Sequence, residues 1–264
     1  HYKNNSPQPL PYIWLQLDQQ LFNDSSRGHA KMPATGHSRY GDANSDFKGG
    51  FRFQSVSVIS GQTESNADYI ITDTRMQIRL SNAIAAKGGE LKLKFVYAFS
   101  VPQYGADRTG ILNTRNGDIF SIAQWYPRMC VYSDFQGWQN HQFSGRAEFA
   151  LTFGDFHVEM TVPSDHVVCA TGECQNYASL LTAPQLKRWK QAQTATEPVE
   201  VITLEEAKAA ENTNSKTTKT YIFEAKNVRD FAWGSSPKFV WDAMAVDIEG
   251  KKVMAMSFYG KEAY

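Results

Sequence analysis

The chain has 264 residues, with 27 basic and 27 acidic side chains, so its formal net charge is zero. Balanced charge without a block of like charges argues against nucleic acids and anionic membrane surfaces as partners. No apolar run approaches the roughly 18 residues needed to span a membrane. The length allows one large β domain or two ordinary ones, each with an adequate core.

Alternation of apolar and polar residues with period two runs through most of the chain. It is clearest in "LKLKFVYAFSV" (91–101), where Leu91, Leu93 and Phe95 share one face and the lysines occupy the other, as in a half-buried antiparallel strand. In chain order, strands are predicted at 10–17, 51–59, 69–80 with a break near Asp73, 91–101, 118–132, 147–153, 156–162, 166–173, 217–226, 237–247 and 252–259. The chain is therefore predicted to be a mostly antiparallel all-β protein.

Three segments depart from simple strands. Residues 147–153 and 156–162 are predicted to form a hairpin around Gly154-Asp155. Two short helices are predicted within one excursion at about 182–212, because Thr182 suits an N-cap and Thr203 with Glu206 forms a capping-box pattern. Residues 23–50 are predicted to be a long irregular loop.

Several catalytic classes lack their sequence signatures. There is no H-E-x-x-H, no G-x-S-x-G, no Walker loop and no G-x-G-x-x-G after a strand. The six histidines never lie three or four residues apart, which disfavours a metal site in this chain; they are His1, His29, His37, His141, His157 and His166. The three cysteines, Cys130, Cys169 and Cys174, form no C-x-x-C pair and are predicted to be free and packed.

The stretch "IAQWYPRMCVYSD" (122–134) is an unusual strand sequence. Proline interrupts ladder hydrogen bonding, and arginine is rarely buried without a partner. One interpretation is that Gln124 satisfies a backbone group at a bulge required by Pro127, with Arg128 paired to Asp134 or another carboxylate. Trp125 and Tyr126 fit packing better than ligand contact.

Four motifs occur in order and carry a family resemblance; they are "QWYPRMCVYSDFQGWQNHQFSG" (124–145), "FGDFHVEMTVPSDHVVCATGE" (153–173), "NVRDFAWGSSPKFVWDA" (227–243) and "VMAMSFYGKEAY" (253–264). From about residue 10 onward, the chain resembles the N-terminal β domain of the aminopeptidase N family of zinc metallopeptidases, the gluzincins, in a Bacteroides-type branch. The resemblance implies a saddle-like all-β fold that precedes a thermolysin-like catalytic domain. Residues 1–264 are then expected to form one N-terminal domain of a larger extracytoplasmic protein, from which the first strands and the catalytic domain are absent.

The resemblance also implies roles for single residues. In that family, a glutamine or glutamate a few residues before an arginine binds the free α-amino group of the peptide substrate, and Gln124 matches this position. Trp125 and Tyr126 would lie beside the substrate, and Arg128 and Asp134 would be structural. Zinc is expected in the missing domain rather than here, so this chain alone is expected to be inactive.

Two other interpretations remain open. The chain could be a non-catalytic β-sandwich module that binds carbohydrate or protein through a row of exposed aromatic side chains. Phe231, Trp233, Phe239 and Trp241 are candidates for such a platform, although their alternation favours core packing. The chain could also be a paralogue without activity that serves as an interaction scaffold.

Overall fold

The computed structural model describes residues 1–27, 47–103, 108–143 and 150–264. The chain divides into two compact units: one comprises His1–Gly110 and Ala123–Phe153, and the other comprises Ile111–Ile122 and Gly154–Tyr264. The chain therefore leaves the first unit, contributes a short segment to the second, and returns. The prediction that residues 1–264 form a single domain of a larger protein stays a prediction.

Strands make up about half of the described chain. In chain order they are β1 (Tyr2–Asn4), β2 (Leu10–Gln16), β3 (Arg52–Ser60), β4 (Thr63–Asn66), β5 (Asp68–Thr72), β6 (Arg75–Ile84), β7 (Gly89–Ala98), β8 (Thr109–Leu112), β9 (Ile119–Ile122), β10 (Arg128–Met129), β11 (Tyr132–Ser133), β12 (Gly137–Trp138), β13 (Gly154–Pro163), β14 (Val167–Ala170), β15 (Glu173–Cys174), β16 (Val199–Ile202), β17 (Thr218–Val228), β18 (Trp233–Ser236), β19 (Val240–Ile248) and β20 (Lys251–Tyr259). The prediction of a mostly antiparallel all-β fold is confirmed.

The first unit contains two four-stranded sheets, in the orders β1-β7-β3-β4 and β10-β2-β6-β5, and the small hairpin β11-β12. Its pairings are antiparallel. The alternation predicted for β7 is observed, because Leu91, Leu93 and Phe95 pack on the core while Lys92 and Lys94 are exposed. The break predicted near Asp73 is a turn between β5 and β6, where this residue has a φ of 57°.

The second unit contains the sheets β13-β17-β15 and β16-β19-β20, and a sheet in the order β14-β18-β9-β8. Its core holds the aromatic residues of the "FAWGSSPKFVWDA" motif, since Phe231, Phe239 and Trp241 are at most 5% exposed, while Trp233 is half-buried. The prediction that these aromatic residues favour the core is confirmed for the first three.

Three short α-helices interrupt the second unit, and the last two lie in the excursion predicted at about 182–212. They are α1 (Tyr177–Leu180), α2 (Ala183–Ala192) and α3 (Leu204–Ala209). The capping box predicted for α3 is present, because Thr203 Oγ1 accepts from the Glu206 N–H at 3.2 Å and the Glu206 carboxylate accepts from the Thr203 N–H at 2.9 Å. No helix in the described part of the chain is long and apolar enough to cross a membrane.

The predicted hairpin of residues 147–153 and 156–162 is wrong in the part that the structure describes. Residues 150–153 contain one isolated bridge, between Leu151 and Cys130, and β13 begins at the supposed turn and pairs with β17. Residues 147–149 lie outside the described residues, as do His29, His37 and most of the predicted loop 23–50. Alternation fixes which face of a strand is buried, but it does not choose the partner strand.

A buried lysine lies in the turn between β18 and β19 of the second unit. Lys238 is 1% exposed, and its Nζ donates to Thr114 Oγ1 at 2.7 Å and to Asn116 Oδ1 at 2.6 Å. A third, longer bond of 3.3 Å reaches Glu262, whose side chain is 54% exposed. Lys238 therefore joins the segment before β9 to the 3-10 helix Lys261–Ala263.

Candidate functional site

The segment Gln124–Arg128 does not continue the strand that the sequence predicts over 118–132. β9 ends at Ile122, residues 123–127 are irregular, and β10 has only two residues, which pair with Gln16 and Leu15 of β2. Two residues explain the interruption. Pro127 has no backbone N–H to give to a ladder, and Gln124 has a φ of 53°, in the left-handed region that a strand cannot contain.

Gln124 is 9% exposed, and its backbone is held in place by another side chain. Its carbonyl accepts a hydrogen bond of 3.1 Å from Gln19 Nε2. Its own side-chain amide makes no hydrogen bond with any residue that the structure describes, so the interpretation that this amide satisfies a backbone group at the bulge is not supported. Gln124 thus combines a fixed backbone with an amide available for hydrogen bonding.

Arg128 forms a bidentate ion pair with Asp18. Its Nε donates to Asp18 Oδ2 at 2.9 Å and its Nη2 to Asp18 Oδ1 at 2.8 Å, and the two side chains are 6% and 1% exposed. Asp134, the other partner considered from the sequence, is exposed in the turn between β11 and β12. The burial of Arg128 is compensated by this parallel pair of charge-assisted bonds, and its structural role stays a prediction.

The turn that supplies Asp18 and Gln19 was not singled out from the sequence. After β2 the chain forms a 3-10 helix, Asp18–Phe22, with all five residues buried. The third polar residue, Gln20, accepts from the Phe51 N–H at 2.7 Å through its Oε1. The signal available in the sequence was the run Asp18-Gln19-Gln20 enclosed by apolar residues, because consecutive buried polar side chains each require a partner.

The backbone of Ala123, the residue before Gln124, is also fixed by a side chain. The Thr109 hydroxyl donates to the Ala123 carbonyl and accepts from its N–H at 3.2 Å, and Thr109 is 2% exposed. Gln19 Nε2 lies 3.4 Å from the same hydroxyl. The backbone around Gln124 is thus held by Thr109 and Gln19 together.

The remaining residues near the segment have packing contacts. Trp125 and Tyr126 are half-buried and form an edge-to-face pair with ring centroids 5.1 Å apart. Burial, followed by the Asp18 carboxylate, raises the pKa of the Cys130 thiol to about 12. The three cysteines are free, as predicted, and a raised pKa disfavours the thiolate form that makes a cysteine reactive.

The exposed aromatic side chains of the described ranges belong to separate elements of the chain. In the described ranges, those more than a third exposed are Tyr12, Tyr69, Phe135, Phe153 and Tyr264. Tyr12 and Tyr69 are on β2 and β5, Phe135 is in a turn, Phe153 precedes β13 and Tyr264 ends the chain. A row of exposed aromatic residues was the observation expected for a carbohydrate-binding module, so this arrangement does not favour that alternative.

A polar cavity lies in the second unit. Its volume is about 350 Å³, and Glu200, Asp242, Tyr259 and Tyr264 are among its lining residues. The Tyr264 hydroxyl donates to Glu200 at 2.8 Å and the Tyr259 hydroxyl donates to Asp242. Because the tyrosine hydroxyls already bond the carboxylates, this cavity offers less for ligand recognition than the unbonded amide of Gln124.

The histidines and carboxylates of the described chain form no metal site: no group of three or more His, Cys, Asp or Glu side chains is arranged to hold an ion in those residues. His157 lies on the exposed face of β13 between Glu224 and Glu159, at 2.5 and 3.3 Å. Hydrogen bonds to these carboxylates, first to Glu224, raise the pKa of His157. The described residues therefore do not fit a zinc ion.

Comparison with solved structures finds similarity to zinc peptidases. The M1 zinc metallopeptidase from Deinococcus radiodurans is 13% identical with a TM-score of 0.46, and the match covers 98% of this chain and 45% of that chain. A mutant M1 zinc metallopeptidase from the same organism, bound to a Tyr-Ser-Ala substrate, is 14% identical with a TM-score of 0.46 and coverages of 96% and 41%.

This chain therefore spans less than half the length of the proteins it matches. A scan against protein-family models and a search of curated proteins find no match.

Proposed function

We propose that this chain is the N-terminal β domain of an extracytoplasmic zinc aminopeptidase, and that Gln124 binds the free α-amino group of the peptide substrate. The proposal starts from the resemblance of the four sequence motifs to that family. The observation that carries it is the state of Gln124, whose backbone is fixed by Gln19 while its side-chain amide has no partner among the described residues.

The side-chain amide of Gln124 is chemically suited to bind the amino terminus of a peptide. An α-ammonium group offers three N–H donors, and the Gln124 amide oxygen is an acceptor. Because the residue is 9% exposed, the contact would be largely removed from water. A hydrogen bond to a charged group under such conditions contributes about 1.5–3 kcal/mol. Gln124 would therefore favour peptides with a free amino terminus over internal peptide bonds.

Zinc and water activation would come from another domain of the same polypeptide. The metal would act there as a Lewis acid toward the substrate carbonyl and its bound water. The described residues would bind and orient the amino terminus, with Asp18 and Arg128 keeping the segment rigid. On this proposal the chain alone hydrolyses nothing.

The test uses the full-length polypeptide that carries this chain, loaded with zinc, and an aminoacyl p-nitroanilide as substrate. We expect Gln124→Ala to lower kcat/KM by roughly 10- to 150-fold, which is the kinetic equivalent of the lost charge-assisted bond. The matched control is Gln136→Ala, which removes an exposed glutamine from the same unit and should leave kcat/KM unchanged.

Two results would contradict the proposal at different levels. If the zinc-loaded polypeptide releases no amino-terminal residue from any peptide, the assignment to an aminopeptidase is wrong. If hydrolysis is present but Gln124→Ala changes kcat/KM no more than Gln136→Ala does, the assignment stands and the anchor is another residue.

A further inference from the structure

Two neighbouring side chains on one turn hold both ends of the segment Gln124–Arg128. Asp18 receives the Arg128 guanidinium, and Gln19 donates to the Gln124 carbonyl at 3.1 Å. Asp18 and Gln19 are both at most 2% exposed and belong to the 3-10 helix Asp18–Phe22. The position of this helix therefore sets the geometry of the whole segment.

The segment needs such side chains because its own backbone cannot form a ladder. Pro127 lacks the N–H that a strand would use. Gln124 is in the left-handed conformation, which residues with a Cβ adopt only when their surroundings impose it. The hydrogen bond from Gln19 to the Gln124 carbonyl is one contact that imposes this conformation.

Only the Nε2 group of the Gln19 side-chain amide forms hydrogen bonds. Its Nε2 serves the Gln124 carbonyl and lies 3.4 Å from Thr109 Oγ1, while its Oε1 is buried without a hydrogen-bond partner. An unsatisfied buried acceptor is unfavourable. The bond that Gln19 donates to the Gln124 carbonyl offsets part of this cost.

We propose that Gln19 is a positioning residue for the substrate amino group, acting through the backbone of Gln124. The inference rests on the proposed function of Gln124 and deepens it. By fixing the Gln124 carbonyl, Gln19 directs the neighbouring side-chain amide toward the place where the ammonium group would bind. Gln19 itself makes no contact with the substrate in this scheme.

The first measurement is hydrogen–deuterium exchange of the full-length polypeptide, which needs no substrate. Gln19→Met keeps the length of the side chain and removes both polar atoms, including the unsatisfied oxygen. We expect the amides of residues 123–126 to exchange roughly three- to tenfold faster in this variant, the equivalent of one lost hydrogen bond. The strands β3 and β7 should exchange as in the unmodified protein.

Gln16 provides a matched control. It is 1% exposed, its Nε2 donates to the His141 carbonyl at 2.9 Å, and its Oε1 is also unsatisfied. Gln16→Met should loosen the segment near His141 and leave the amides of residues 123–126 unchanged. Equal exchange of residues 123–126 in Gln19→Met and in the unmodified protein would overturn the proposal.

The second measurement is a double-mutant cycle on the aminopeptidase activity. Gln19→Met should raise KM for a free-amine substrate by roughly three- to tenfold with a smaller change in kcat. In a chain that already carries Gln124→Ala, Gln19→Met should have no further effect, because residues acting through one another are not additive. Equal effects in both backgrounds would overturn the proposal.

The two measurements separate this inference from the proposed function. If no hydrolysis is found, or if Gln124→Ala leaves kcat/KM unchanged, Gln124 does not bind the substrate amino group. Gln19 then has no role toward the substrate either. Exchange would then still decide whether Gln19 holds the Gln124 backbone. If Gln124→Ala lowers activity and Gln19→Met does not, the function stands and the positioning role is wrong.

Discussion

Arg128 in the first unit and Lys238 in the second are both buried cations, 5% and 1% exposed, but their partners differ. Arg128 is bound through two bonds to Asp18, a carboxylate that is itself buried. Lys238 is bound mainly by the neutral oxygens of Thr114 and Asn116, and its carboxylate partner is half in solvent.

The comparison shows that burial alone does not set the cost of losing a partner. A planar guanidinium matched to one carboxylate depends on that carboxylate for both its charge and its geometry. An ammonium group shared among three acceptors keeps most of its hydrogen bonds when any one of them is lost. The first unit should therefore be more sensitive to a single substitution at its buried cation.

The largest effect is expected for Asp18→Asn, which removes the negative charge from the buried carboxylate that accepts two hydrogen bonds from Arg128. The free energy of unfolding should fall by about 3–5 kcal/mol, measured by urea denaturation. Asp134→Asn is the control, because this exposed aspartate should change stability by less than about 0.5 kcal/mol. A similar small change in both variants would show that the Asp18–Arg128 pair contributes nothing specific.

A smaller effect is expected at Lys238. Lys238→Met should destabilise the protein by about 2 kcal/mol, because it removes charged hydrogen bonds but leaves no buried charge behind. Glu262→Gln should cost less than about 1 kcal/mol, since the carboxylate is more than half exposed. If Glu262→Gln proves as damaging as Lys238→Met, the neutral acceptors are not the main partners and the comparison is wrong.

The smallest effect concerns two histidines of the second unit, one exposed and one half-buried. Hydrogen bonds to Glu224 and Glu159 raise the pKa of His157 above 6.5, and burial lowers the pKa of His166 below it. Protonation of His157 therefore adds stability that is complete below about pH 6.5 and is lost as the pH rises through its folded pKa.

For His166 the sign is opposite, because stability is lost as the pH falls below 6.5 and the unfolded chain takes up the proton. Titration of the imidazole protons by NMR should give the higher pKa for His157. Glu224→Gln should lower the pKa of His157 and leave that of His166 unchanged. A single common pKa for both rings would contradict the assignment.

Features that depend on near neighbours in the chain were predictable. The buried face of β7 follows from alternation over ten residues, and the cap of α3 depends on Thr203 and Glu206, three positions apart. The hairpin 147–162 was mispredicted because the partner of β13 is β17, which lies much later in the chain. Nothing in the local pattern of β13 specifies that choice.

In the candidate site too, features that follow from a single residue were predictable, and features that depend on distant residues were not. Pro127 indicated an interruption, and Arg128 indicated a buried carboxylate, because both follow from the chemistry of one residue. The identity of the carboxylate did not follow, since Asp18 is 110 positions away, and the donor to the Gln124 carbonyl is 105 positions away. Only the folded chain brings Asp18 and Gln19 to the two ends of the segment.

The chain enters the second unit at Ile111 and returns to the first at Ala123, which affects the order in which the units can fold during translation. Ile119–Ile122 belongs to the second unit and pairs with β18, but it is made before the last part of the first unit, Ala123–Phe153. On the ribosome this strand therefore has only β8 beside it until Trp233–Ser236 emerges, long after most of the first unit has been translated. A single cut of the gene after the codon for Phe153 would leave the second unit without Ile111–Ile122, because that unit requires two separate stretches of the polypeptide.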